Sequence, residues 1–244
     1  MAGRMQLPLF PLHVVAFPHM PLPLHIFEQR YRKMTRDLLR DGNPYDGRFV
    51  VAMIAAGREI QPTAEAHLQP VGTICQIRRA DRFDDGRWAL LVVGVARARL
   101  GSVDESGPYA VVDATPLDEV AGPDAGDLIP EVQTALDDYI ATMKRFLAEE
   151  TDEQEQVSRR LDGLIRPIRL PPDPLAASYA VAGVLQIELS RKQRLLELPD
   201  AASRLRAELQ LLQRESQLLG TSALAPMARF EYHSTDRCQP SRGA

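Results

Sequence analysis

Three histidines recur every six residues near the N-terminus, His13, His19 and His25, and grouped histidines are the commonest start of a metal site. Their spacing matches neither the i, i+4 pair of a helix nor the short-loop spacings that gather ligands. The proline-rich turn that begins at Pro18 also resets any strand alternation, so the three read as turn and strand-end residues. Ser190 and Lys192 are the residue types of a nucleophile and its base. Two positions apart at a helix start they do not face each other, and Ser190-x-x-Gln193 reads instead as a capping box. The run Arg78-Arg79-Ala80-Asp81-Arg82-Phe83-Asp84-Asp85 joins three basic side chains to an aromatic ring in the manner of a nucleic-acid patch, but three of its eight residues are acidic. A solvated hairpin end accounts for it better. Acids crowd 149–155 without the glycine-turned loop that a calcium site needs, and acids near a helix N-terminus account for them. Phe83 and Trp88 flank the same hairpin. Either is a possible exposed anchor for a partner, although a single strand aromatic more often belongs to a core. These residues imply no catalytic, cofactor-binding or metal-ligating set.

The elements that would position them fall into two halves. Up to residue 117 the pattern is strand-rich. Met5–Phe17 alternates loosely and Leu22–Phe27 is a second apolar run. Between them Phe17-Pro18-His19-Met20-Pro21 makes a tight connection, since its prolines cannot donate to a ladder. Glu28–Arg40 reads as one helix with Tyr31, Met34 and Leu38 on its apolar stripe, stopped by Asp41-Gly42-Asn43-Pro44. Further strands follow at Phe49–Ala56, at Val71–Arg79 with Val71, Thr73, Cys75 and Ile77 expected on one face, and at Trp88–Leu100. The last two are joined across Asp84-Asp85-Gly86-Arg87 as a hairpin. Tyr109–Leu117 closes the set, and Gly94 and Gly101 mark bulges or close packing. Such short strands suggest a small barrel-like sheet and not a parallel α/β fold.

Near residue 118 the apolar period changes from two to 3.6. Val132, Leu136, Tyr139, Ile140, Met143, Phe146 and Leu147 share a helical face. Thr151-x-x-Gln154 is a second capping box, Asp173-Pro174 is a cap followed by proline at the first helical position, and Asp200 precedes a stripe of Leu205, Leu209 and Leu212 that ends before Gly220. The expectation is a helical bundle over 118–220 and a frayed or disordered tail over 221–244.

Composition narrows the function classes. The 244 residues are 45% hydrophobic and 25% charged, with a formal charge of −4, which is ordinary globular usage. Residues 1–117 carry 14 basic against 12 acidic side chains, too even a balance for a polyphosphate-binding face. Two cysteines, Cys75 in an apolar run and Cys238 in a polar tail, form no disulfide framework. The N-terminus lacks the unbroken apolar segment of a signal peptide, and no run is long enough for a membrane span. The cytoplasm is therefore the expected compartment.

The segment running from Leu7-Pro8-Leu9-Phe10-Pro11-Leu12 through Phe17-Pro18, Leu22-Pro23-Leu24 and Ile26-Phe27-Glu28 to Arg30-Tyr31-Arg32 resembles the opening signature of the N-terminal region of the ATP-dependent protease Lon. Val71-Gly72-Thr73, Asp85-Gly86-Arg87, Val93-Gly94-Val95-Ala96-Arg97, Pro108-Tyr109, Asp173-Pro174, Gln193–Glu197 and Arg204-Leu205 extend the likeness in order over about residues 5–219. It implies an α+β chain: a small PUA-like β pseudo-barrel with one helix over 1–117, followed by an α-helical bundle. It also implies recognition of polypeptide substrates without chemistry. Two departures stand out. His19 occupies a position where the family usually has glycine, at a cost if the backbone there needs φ > 0. The chain also has only three lysines, Lys33, Lys144 and Lys192, none after a glycine-rich loop, so the G-x-x-x-x-G-K-[ST] motif of an ATPase is missing.

The expected function is a stand-alone, non-catalytic module that binds unfolded or peptide segments of other proteins, with a separate protease or ATPase as a candidate partner. It would present an exposed apolar patch or add a peptide to a sheet edge; the sequence does not locate that surface. A PUA-like nucleic-acid-binding module is the alternative, which the charge disfavours, and a hydrolase is the least favoured reading. Neither ATP hydrolysis nor casein cleavage is expected.

Overall fold

A computed structural model of the chain describes residues 3–56, 67–149 and 168–220. The strands are β1 (Met5–Leu12), β2 (Pro21–Ile26), β3 (Arg48–Ala56), β4 (His67–Leu68), β5 (Val71–Arg82), β6 (Trp88–Asp104) and β7 (Val111–Pro116). The helices are α1 (Gln29–Leu39), α2 (Ala125–Glu149), α3 (Pro174–Val184), α4 (Leu189–Glu197) and α5 (Ala201–Gly220). The Thr151 capping box, most of the acidic run and the 221–244 tail with Cys238 lie outside the described residues.

The expected PUA-like pseudo-barrel is corrected by the pairing. The strands form one mixed seven-stranded sheet in the order β1-β7-β6-β5-β3-β4, with β2 attached to β6 and a further pairing of β1 with β3. The sheet is branched and mixed in direction. The long β6 bonds to three strands, β5, β2 and β7, so the pairing branches. The β1–β3 pair is parallel, with Leu9 opposite Val50 and Leu12 opposite Met53. A parallel pair requires a crossover, here the stretch holding β2 and α1. The hairpin turn at 84–87 is legible in the residues and suggests antiparallel neighbours; nothing comparable marks β1 and β3 as parallel partners. β5 buries both of its faces at the start, where Val71 through Cys75 are all buried, and two bulges interrupt its pairing with β6.

Both faces of the central strands are covered. Helix α1 lays Tyr31, Met34 and Leu38 over one face, against Phe10, Phe49, Val51, Cys75, Leu90 and Val92. The alternate residues Leu9, Val50, Ile74, Ala98 and Val112 gather on the other. The third cluster contains Val132, Leu136 and Tyr139 of α2 with Leu205 and Leu212 of α5, and it takes in Val15, Phe17, Met53 and Val71 from the strand region. Strand region and helices thus share apolar packing.

Local chemistry explains the starts of two helices. Asp173 caps α3 by accepting from the Ala176 N–H at 3.0 Å, with Pro174 first in the helix. Asp200 does the same for α5 through the Ser203 N–H at 2.7 Å. The Ser190 capping box does not form. Helix α4 starts two residues earlier than that motif requires, with Glu188 as its cap residue and Ser190 already inside. Gln193 turns away to donate to the Val71 carbonyl at 2.9 Å and to Glu197 at 2.8 Å. Helix α5 runs through Gly220 and does not stop before it.

Candidate functional site

The short β2 shows how sequence builds a surface. It reads Pro-Leu-Pro-Leu-His-Ile, and Leu22, Leu24 and Ile26 point to the core while Pro21, Pro23 and His25 point to solvent. Their partners on β6 share the outward face: Val93 opposite Pro21, Leu91 opposite Pro23, Ala89 opposite His25. Leu91 is 40% exposed and Val95, four residues further along, 37%. Phe27 continues the row just past β2 at 60% exposure, and Phe83 at the end of the β5–β6 hairpin is 44% exposed. The His25 ring lies 6.2 Å from that of Phe27 and 5.9 Å from that of Phe83. The outcome is an apolar and aromatic strip across β2 and β6 that none of the described residues covers.

Charges rim the strip. Arg79 sits opposite Leu91 on β5 and pairs with Asp81 at 2.7 Å. Arg87 pairs with Asp85 at 2.6 Å and lies 5.8 Å from the Phe83 ring centre. The arginine run of the hairpin is therefore a solvated, internally paired end, and Phe83 is exposed where a core position is the commoner fate. Trp88 is half-buried beneath the Arg82 guanidinium, 5.9 Å from the ring centre.

The edge of β2 differs from its face. The Gly94 N–H donates to the Met20 carbonyl at 3.2 Å. By antiparallel alternation this turns the N–H positions of residues 21, 23 and 25 away from β6. Pro21 and Pro23 have no N–H. Strand addition at this edge lacks two of its three donors, so the expectation of a peptide joining the edge does not fit β2.

The segment between β1 and β2 crosses from this sheet to the helices. Gly94 allows the crossing: a Cβ there would lie 2.3 Å from the Phe17 carbonyl oxygen. His19 has φ +63°, the left-handed geometry for which glycine is suited, and its ring lies 6.0 Å from Tyr179 of α3. His19 thus belongs to the crossing and His25 to the aromatic strip. Among the described residues no three His, Cys, Asp or Glu side chains gather as a metal site.

Beneath the crossing lies a buried polar junction. Arg97 of β6 is 1% exposed. It donates to Glu119 Oε1 at 3.0 Å and to the carbonyls of Leu196 (3.0 Å) and Leu198 (2.5 Å), which are left free where α4 ends. The Tyr179 hydroxyl donates to Glu119 Oε2 at 2.6 Å. Arg204 of α5 stacks on the Tyr179 ring at 4.1 Å and donates from Nε to Ser178 Oγ at 2.9 Å. Burial pushes the Tyr179 phenol up from its ordinary value, with Arg204 opposing. The sequence alone assigned these charges no role; Arg97 and Arg204 entered it only within the Val93–Arg97 and Arg204-Leu205 motifs.

The remaining candidates do not assemble a reaction centre. Ser190 lies 3.4 Å from Glu188, and Lys192 Nζ reaches the Gly183 carbonyl at 3.5 Å, so the two go to different partners. A cleft of about 280 Å³ between α2 and α5 is lined by Glu131, Thr134, Asp138, Leu209 and Gln213. It brings two carboxylates and an amide together without a nucleophile–base pair.

Known proteins place this arrangement. Solved structures of the N-terminal domain of a Mycobacterium avium complex Lon protease (TM-score 0.58, 21% identity) and of a Lon N-terminal domain protein from Xanthomonas campestris (TM-score 0.54, 22% identity) share the fold, each over 86% of this chain and 98% of the other. The Lon protease of Trichlorobacter lovleyi is 28% identical over 221 residues, covering 89% of this chain and 25% of that protein. Lon protease 1 of Thermus thermophilus is 27% identical over 216 residues, 87% of this chain and 25% of that protein. The chain thus spans about a quarter of the length of these relatives. The profile of the family described as the ATP-dependent protease La (LON) substrate-binding domain matches residues 6–214, and the chain belongs to that family.

Proposed function

We propose that this chain is a non-catalytic module that binds unfolded or extended segments of other proteins on the outward face of β2 and β6. The observation that carries the reading is the strip of Phe27, Phe83, Leu91 and Val95, exposed among the described residues, with Pro21, Pro23 and His25 around them. Contiguous exposed apolar side chains rimmed by polar groups are a common mark of a protein-interaction surface. Large, stiff aromatic anchors supply contact area with little entropy loss. Binding across the face and not along the edge agrees with the donors missing at Pro21 and Pro23.

The division of labour follows the chain. Residues 1–117 would present the surface and residues 118–220 would brace it. A separate protease or ATPase is the partner that would act on what is bound, as in relatives named for protease activity. No helix among the described residues is long and apolar enough to cross a membrane. We place the module in the cytoplasm, a placement supported by the unpaired, fully buried Cys75 thiol.

The test is a fluorescence-anisotropy titration of a labelled unfolded polypeptide with the purified protein, using a folded protein and a labelled RNA as controls. Saturable binding to the unfolded chain alone is expected. Binding to RNA alone, lost as salt is raised, would replace this reading with a nucleic-acid one.

A further inference from the structure

Glu208 of α5 is 0% exposed, and neither of its carboxylate oxygens has a hydrogen-bond partner. Buried polar atoms in folded proteins are almost always paired, so two unpaired oxygens on one side chain call for a physical account. One turn earlier on the same helix lies Arg204, also fully buried, with its Nη2 unpartnered. The guanidinium is drawn in the other direction. It stacks on Tyr179, donates to Ser178 Oγ, and reaches the Leu198 carbonyl at 3.4 Å, where Arg97 also donates. Arg204 therefore serves the junction between sheet and helices and leaves the carboxyl below it alone. Side chains four apart on a helix are neighbours, so the two can meet if Arg204 lets go of α3.

We propose that Glu208 is a protonation-controlled latch on the junction between the sheet and the helices. With its proton on, the carboxyl is neutral and leaves Arg204 clamped to Tyr179, Ser178 and the end of α4. Once the proton is lost to solvent, the bare carboxylate draws Arg204 toward itself and the clamp on α3 and α4 loosens. The charged and titratable groups around the pair are Arg97 from β6, Glu119 from the connection after β7 and Tyr179 from α3. Of these neighbours and Arg204, only Arg204 acts on the Glu208 charge directly. Burial pushes the Glu208 carboxyl well above its ordinary range, and Arg204 opposes this without cancelling it. Burial also pulls Arg204 down, but a guanidinium starts high enough to stay charged.

The sign follows from proton linkage. Above the ordinary carboxylate range the unfolded chain has lost this proton while the folded chain keeps it. Stability is then full at or below the unfolded value and falls as pH rises toward the raised folded value, by at most about tenfold in the folding equilibrium constant per pH unit.

Glutamate carboxyl carbons in the full chain report the switch by NMR, with Glu208 identified by the signal that Glu208→Gln removes. The expected result is a titration midpoint above the ordinary carboxylate range, with the Arg204 Nε–H resonance moving at the same pH. Urea unfolding of Glu208→Gln should in parallel lose the decline in stability with rising pH. A Glu208 midpoint near the ordinary value would overturn the latch, as would a raised midpoint with an unmoving Arg204 signal. Both NMR observations use the native protein, so they decide the matter even if Glu208→Gln folds poorly and the signal must be assigned by elimination.

Discussion

The outward face of β2–β6 and the junction behind it reverse the ordinary placement of side chains. On the face, Phe27, Phe83, Leu91 and Val95 stand in solvent. At the junction, Arg97, Arg204 and Glu208 lie fully buried. Neither arrangement is what stability alone selects, since apolar burial is favourable and an enclosed charge needs costly compensation. The two departures differ in kind. The exposed strip leaves stabilisation unused and available to a partner. The buried charges fix one geometry between sheet and helices, because Arg97 fits only where the free carbonyls of α4 and the Glu119 carboxylate converge on it.

That contrast predicts separable mutational effects. The largest is Arg97→Met, which keeps the volume but strands Glu119 and the carbonyls at the end of α4. The unfolding free energy should fall by about 3–5 kcal/mol, measured by urea denaturation. A loss below about 1 kcal/mol would mean that the junction is not organised by this side chain. Gly94→Ala comes next. Its methyl would meet the Phe17 carbonyl oxygen, a backbone atom, and forcing the crossing segment away should lower stability by about 1–3 kcal/mol.

The face should behave in the opposite way. Phe27→Ser and Leu91→Glu should each leave the unfolding free energy within about 0.5 kcal/mol of the parent, the new glutamate gaining Arg79 as its cross-strand neighbour. Each should weaken binding of an unfolded polypeptide by about 1–2 kcal/mol, roughly five- to thirtyfold. Equal losses of stability and binding in these variants would dissolve the distinction between the regions. The smallest effect is His19→Gly, which relieves a left-handed backbone. It should raise stability by about 0.5–1 kcal/mol after allowing for the added freedom of glycine in the unfolded chain.

Much of the frame was legible in the residues. Helix α1 is bounded by Glu28 and Arg40 as its stripe of Tyr31, Met34 and Leu38 indicates, and the β5–β6 hairpin turns at 84–87. Asp173-Pro174 starts α3 because its cap chemistry is local. The failures are equally physical. The parallel β1–β3 pair and the threefold pairing of β6 depend on contacts far apart in sequence, so the barrel expectation had no local pattern to correct it. Ser190-x-x-Gln193 fits a capping box, yet Gln193 is drawn to the Val71 carbonyl, a tertiary contact no motif encodes. Phe83 and Leu91 look like core residues because apolar residues have the same letters inside and outside. The departure at His19, by contrast, was readable from the family pattern, and the backbone there does take positive φ.

The most direct measurement is anisotropy of one labelled unfolded polypeptide titrated with the parent chain and with the double variant Phe27→Ser, Leu91→Glu, after both show the same unfolding midpoint. The account predicts saturable binding by the parent and a loss of at least about tenfold in the variant. Equal affinity in two equally stable proteins would contradict it and place the binding surface elsewhere on the fold.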